Sequence, residues 1–192
     1  MSLRAGEAAP RGGRLRWRAA YLFAASAVLM ADQASKAWAA RRLRGGEVVK
    51  VWDGFLQFAY AENTGIAFGQ LQEGGDFGRW MLAALAALAV VGLLLYFFRT
   101  KRTDDRLLGA LALLLAGVAG NLTDRVRLGH VVDFIEVFIG SYQWPTFNVA
   151  DAAICTGAGL LALDMILEGR REAREAKAAA HAREVEPPRS GA

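Results

Sequence analysis

The 192-residue chain contains one cysteine and two histidines. A lone Cys155 excludes an intramolecular disulfide and any paired-cysteine metal or redox motif. His130 and His181 are isolated from one another, so no histidine-built zinc site is expected. Charge is also missing from two long stretches: Trp80–Phe98 runs 19 residues and Leu107–Thr123 runs 17 without a charged side chain. A hydrocarbon core about 30 Å thick needs roughly 20 apolar residues of helix, so these runs read as membrane spans. The chain is 54% apolar, 22% charged and carries net charge +4, which on average would fit one ordinary domain. The segregation of those residues excludes a soluble one.

Two further spans are expected. Ala19–Ala31 is an uncharged run that resumes beyond Asp32 and Lys36, giving a span over 19–40. A basic start before a short apolar stretch also resembles a cleaved signal peptide, but the pattern continues past Lys36 and three more spans follow. Asp32 and Lys36, at i and i+4, can meet on one helix face. The last span covers 147–167 and opens on Pro145-Thr146-Phe147-Asn148, with Asn148 as the expected N-cap. The first ~13 residues read as a disordered basic tail. The segment after Glu168 reads as a charged, Ala-rich surface helix ending at Pro187-Pro188.

The expectation is an all-α integral membrane protein of four transmembrane helices with a small extracytoplasmic β-element. Its parts are a cytoplasmic tail 1–18, a four-span domain 19–168 and a cytoplasmic tail 169–192. The spans are 19–40, 80–98, 107–123 and 147–167, with outer loops 41–79 and 124–146. Lys and Arg number fifteen in the two tails and the middle loop, against seven in the outer loops. That bias places both termini in the cytoplasm. In the first outer loop, Asp53-Gly54 between β-rich runs predicts a hairpin with a two-residue turn. A second β-like stretch is His130–Ile139.

Carboxylates at membrane depth are costly and mark functional positions. Asp164 lies 13 residues after Asp151, about 20 Å along the helix, and is expected at the cytoplasmic interface. Asp32, Asp124, Asp133 and Asp151 fall at the outer ends of spans or just beyond, with Asn63, Asn121 and Asn148 at the same level and Glu136 just outside. Two close carboxylates can share a proton, one acting as base toward water and the other as acid, which suits peptide hydrolysis without a covalent intermediate. Bland readings compete. Asp32–Lys36 is read as a neutralised pair, Asp124-Arg125 as an interfacial ion pair, Asp151 as a helix-dipole partner, Asn63-Thr64-Gly65 as a turn, and Cys155 as a small hydrophobe. Trp52, Phe55, Phe58 and Tyr60 also fit an interfacial anchor belt. An ion path would need acids spread through the membrane depth, and a scaffold would need no acid–amide cluster. Membership of the dyad stays open on these grounds.

Four stretches together resemble the lipoprotein signal peptidases, the bacterial signal peptidase II family. They are Asp32-Gln33-Ala34-Ser35-Lys36; Glu62-Asn63-Thr64-Gly65-Ile66-Ala67-Phe68-Gly69; Gly120-Asn121-Leu122-Thr123-Asp124-Arg125 with Gly129-His130-Val131-Val132-Asp133-Phe134-Ile135; and Phe147-Asn148-Val149-Ala150-Asp151. The resemblance covers about residues 17–168. It implies an aspartic endopeptidase of the bacterial cytoplasmic membrane, active at the extracytoplasmic face. Such an enzyme cuts diacylglyceryl-modified prolipoproteins just before the lipidated cysteine. It implies Asp133 and Asp151 as the catalytic pair, and Asn63, Gly65, Asn121, Asp124, Arg125 and Asn148 as substrate-binding or supporting residues. Asp32 and Lys36 take a structural role. No metal, cofactor or nucleic acid is expected; the expected partners are prolipoproteins and membrane lipids, and the expected state is a monomer.

Overall fold

The computed structural model describes residues 11–65, 76–100 and 105–185. Residues 1–10, the Ile66–Gly69 part of the second motif and Pro187-Pro188 lie outside the described residues. Four long helices carry the described part: α1 (Arg11–Arg42), α2 (Asp76–Arg99), α3 (Asp105–Leu128) and α4 (Val149–Val185). Three are long and apolar enough to cross a membrane, over Phe77–Arg99, Asp105–Leu128 and Val149–Ala178. α1 runs unbroken through the expected first span, but Asp32, Lys36 and the flanking arginines keep it outside that apolar class. Helix already includes Arg11-Gly12-Gly13, expected from the sequence to be disordered, and α4 carries the charged tail to Val185 as one continuous rod.

α3 is central, with α1, α2 and α4 packed around it. Glycines permit that packing. A Cβ on Gly117 would sit 2.4 Å from the Ala150 carbonyl oxygen, and one on Gly120 would sit 2.6 Å from Asp32 Oδ2. α3 thereby meets the α4 backbone and the α1 carboxylate directly. Among the described residues α2 exposes Leu85, Leu88, Val91 and Leu95, an apolar surface suited to lipid. At the end opposite the sheet, Phe97, Leu107, Leu108 and Leu111 form a buried cluster. There Arg18 Nη1 donates to the Phe98 carbonyl at 2.9 Å and Nη2 to that of Thr100, closing the C-terminus of α2.

The β-element is an antiparallel sheet of β1 (Val48–Trp52), β2 (Leu56–Asn63), β3 (Val131–Ile139) and β4 (Tyr142–Gln143), in that order. The hairpin is present, but its turn is not the two-residue one expected. Trp52 pairs with Leu56, which leaves Asp53, Gly54 and Phe55 in the loop, and the register slips between Lys50 and Trp52. Gly54 takes φ +73, and Phe55 N–H bonds to the Trp52 carbonyl at 3.0 Å. A three-residue loop with glycine in the left-handed region is the next commonest hairpin solution. The sheet rests on the end of α1 through buried Ala39, Leu43, Val132 and Phe134, with Trp38 edge-on to Phe58 and Phe134. Asn63 faces Val131 and Ala61 faces Asp133 across β2 and β3. This register brings two separate loops to one point.

Candidate active site

Asp133 is 2% exposed, on β3 where the sheet meets the helices. Each of its oxygens accepts an amide: Oδ1 from Asn148 Nδ2 at 2.6 Å and Oδ2 from Asn63 Nδ2 at 2.9 Å. Asp151 occupies the first turn of α4. Its Oδ1 accepts Asn121 Nδ2 at 2.7 Å and its Oδ2 accepts the Asn148 backbone N–H at 3.2 Å. Asn148 joins the two carboxyls and also caps α4, since its Oδ1 accepts the Asp151 N–H at 2.9 Å. Asn148 and Asp151 therefore form a reciprocal cap, the Asp standing where Glu or Gln usually does.

None of these three amides is free to flip. The Asn63 oxygen is held by the Gly65 N–H at 2.8 Å, that of Asn148 by the Asp151 N–H, and that of Asn121 by Lys36 Nζ at 2.9 Å. Each oxygen faces a group that can only donate, so each NH2 must point at a carboxyl. Gly65 takes φ +74, and a Cβ there would lie 2.7 Å from Leu82 Cδ1, so this turn requires glycine.

Beneath the pair lies a buried charge cluster. Lys36 Nζ is 2.9 Å from Asp32 Oδ2 and 2.9 Å from Asp124 Oδ2, all three side chains nearly inaccessible. The i,i+4 pair expected from the sequence is present and is extended by Asp124, which turns to Lys36 rather than forming the interfacial pair with Arg125 that adjacency suggested. Asp124 also accepts the Val132 N–H at 3.2 Å and Gln33 Nε2 at 3.0 Å. Asp32 Oδ1 accepts the Ala150 N–H at 2.8 Å, so α1 caps α4. Arg125 sends Nη1 to the Asn121 carbonyl at 3.4 Å, and its Nη2 lies 3.5 Å from where a Gly65 Cβ would stand.

All ten residues singled out from the sequence thus gather at one end of the helices. Glu136 accepts Gln57 Nε2 at 2.7 Å within the sheet. Asp164 is away from the cluster, as expected, and its side chain is buried between the helices. Its carboxylate is 1% exposed and 3.7 Å from Arg106 Nε. The reason is close packing of α3 on α4, where a Gly157 Cβ would come 2.9 Å from the Ala110 carbonyl oxygen. Gln33, inside the first motif, ties Asp32, Asp124 and the Gly120 carbonyl together, a role that its place in the sequence does not signal. Burial is the main cause that raises the Asp133 carboxyl above the ordinary range; the Asn63 bond works against it and the negative field of Asp151 adds to it.

Residues 24–167 match the family model described as signal peptidase (SPase) II. The chain belongs to the signal peptidase II family. It is 44% identical over 147 residues to the lipoprotein signal peptidase of Geobacter sulfurreducens, covering 76% of this chain and 90% of that one. It is 41% identical over 166 residues to the lipoprotein signal peptidase of Pseudomonas putida, covering 86% and 95%. A bacterial membrane enzyme solved in meso at 1.9 Å matches with TM-score 0.70 and 28% identity, over 77% of this chain and 92% of that chain. Signal peptidase II is an aspartic peptidase, and the paired carboxyls described above suit that chemistry.

Proposed function

We propose that the chain removes signal peptides from diacylglyceryl-modified prolipoproteins, cutting just before the lipidated cysteine, with Asp133 and Asp151 as the reacting pair. The observation that carries this reading is the bridge of Asn148 between two carboxyls whose every amide partner is locked in orientation. One carboxyl of the pair acts as base while the other, still protonated, acts as acid. The ionised carboxyl takes a proton from water as the water attacks the scissile carbonyl, and the protonated one donates toward the departing amide. Asn63, Gly65, Asn121, Asn148 and Arg125 position substrate or the pair, while Asp32, Lys36 and Asp124 support them. A single chain supplies the pair and its amide partners, which supports action as a monomer.

The domain 19–168 is proposed to cross the bacterial inner membrane four times, with α1 as the first span, both termini cytoplasmic and the reacting pair at the extracytoplasmic face. The Lys and Arg bias supports this orientation. A reporter after Arg102 or Arg174 then reads cytoplasmic, and one inserted near Gly74 reads outside; an outside signal at both former positions overturns the topology.

The substrate reading is tested with matched prolipoproteins that differ only in the diacylglyceryl group. Each buried CH2 contributes about 0.8 kcal/mol, so two acyl chains concentrate and hold the cleavage site at membrane depth. Cleavage is expected only of the lipidated substrate. Equal turnover of both overturns the assignment of substrate.

A further inference from the structure

Arg79 lies in the first turn of α2 and shares no residue with the four motifs that mark the site. Its guanidinium spans the end of α3: Nε donates to the Arg125 carbonyl at 2.8 Å and Nη2 to the Val126 carbonyl at 2.6 Å. The last carbonyls of a helix have no partner within it and carry the negative end of its dipole, so a planar cation with two parallel donors is well matched to them. The side chain is fixed on both sides. Its guanidinium carbon lies 4.9 Å from the Trp80 ring centroid, and its Cδ would be 3.5 Å from a Cβ on Gly129. Gly129, at φ +86, ends α3 and returns its own N–H to the Arg125 carbonyl at 3.2 Å, so that oxygen accepts twice.

Asn121 lies one turn back from this clamp and Asp124 immediately precedes it, and Arg125 itself bonds the Asn121 carbonyl. Asn121 in turn donates to Asp151. Movement of the α3 terminus therefore reaches Asp151 through Asn121, while the Asp133 carboxyl itself is held by Asn63 and Asn148 from other elements. We propose that Arg79 is a positioning residue for cleavage: by clamping the terminal carbonyls of α3 it fixes Asn121 and, through it, Asp151. This rests on the reading of Asp133 and Asp151 as the reacting pair.

The test compares Arg79→Gln, Arg79→Lys, Arg127→Gln and Asp133→Asn in the purified full-length protein with a lipidated prolipoprotein. Arg127 is exposed in the same last turn of α3, so its variant removes one positive charge there without touching the two carbonyl bonds. Expected is a fall in kcat of about tenfold or more for Arg79→Gln at nearly unchanged KM, since small misplacements of a reacting group cost rate rather than binding. Arg79→Lys, with one ammonium in place of a fork, recovers part of the loss, and Arg127→Gln none of it incurs. The pH–rate profile of Arg79→Gln is also displaced, because the amide network that joins the two carboxyls is disturbed. Full kcat in Arg79→Gln, an equal fall in Arg127→Gln, or a loss that lies entirely in KM with an unmoved pH profile overturns the proposal. If Asp133→Asn is active, the reading of the pair fails instead.

Discussion

Asp133→Asn and Asp151→Asn each lose nearly all cleavage of a lipidated prolipoprotein, by about 10²- to 10⁴-fold or more, which is the range of a general acid or base in place. Asparagine keeps the size of the side chain. At Asp133 the two amides of Asn63 and Asn148 then face one NH2, so one hydrogen bond inverts to a clash of donors; at Asp151 the same conflict arises with Asn121 or the Asn148 N–H. Both variants should still accumulate in the membrane, since the buried Lys36 cluster is untouched. Asp164→Asn serves as the contrast, because that carboxylate pairs with Arg106 away from the site. In the wild-type protein the rate falls as pH rises through the raised Asp133 value, where the pair loses the proton it shares. Retained activity in Asp133→Asn, or an inactive yet folded Asp164→Asn, identifies a different pair.

Lys36→Met is expected to remove the folded protein rather than slow it. Lys36 is the cation between Asp32 and Asp124, and breaking a buried pair by removing one partner costs about 3–5 kcal/mol. Asp32 is also the cap on Ala150 and Asp124 the acceptor of the Val132 N–H, so strain in the cluster reaches both α4 and β3. Asn121 loses the donor that fixes its orientation. The measurement is membrane abundance and Tm in detergent, beside the triple variant Asp32→Asn, Lys36→Met, Asp124→Asn. The triple variant leaves no unpaired charge and recovers part of the stability. An unchanged Tm in Lys36→Met alone would show that the cluster is not what holds α1, α3 and α4 together.

Depth along a helix is legible in a sequence, and it was enough to separate Asp164 from Asp124, Asp133 and Asp151. It does not tell which side chain turns to which. Lys36 could be paired with Asp32 from spacing, but its reach to Asp124 and Asn121 depends on α1 lying against α3, which Gly120 permits. Asp124 turned away from its neighbour Arg125 for the same reason. The Asp53-Gly54 signal located the hairpin correctly and missed one loop residue, because the register slip that absorbs it is a property of the paired strands. Arg79 had no signal beyond its place at the start of an apolar run, since its partners are backbone carbonyls of another helix.

The cap at the start of α4 has a consequence for the order of synthesis. Asp32 comes from the first helix and Asp133 from the third strand, while Asn148 and Asp151 open the last helix. The first turn of that helix is closed by the very side chains that set the two carboxyls. A nascent chain halted before residue 148 holds one carboxyl and neither the bridge nor its partner. If Asp133 and Asp151 are the reacting pair, as proposed, peptidase chemistry waits until α4 has left the ribosome and docked, and an unfinished chain is inert toward its neighbours.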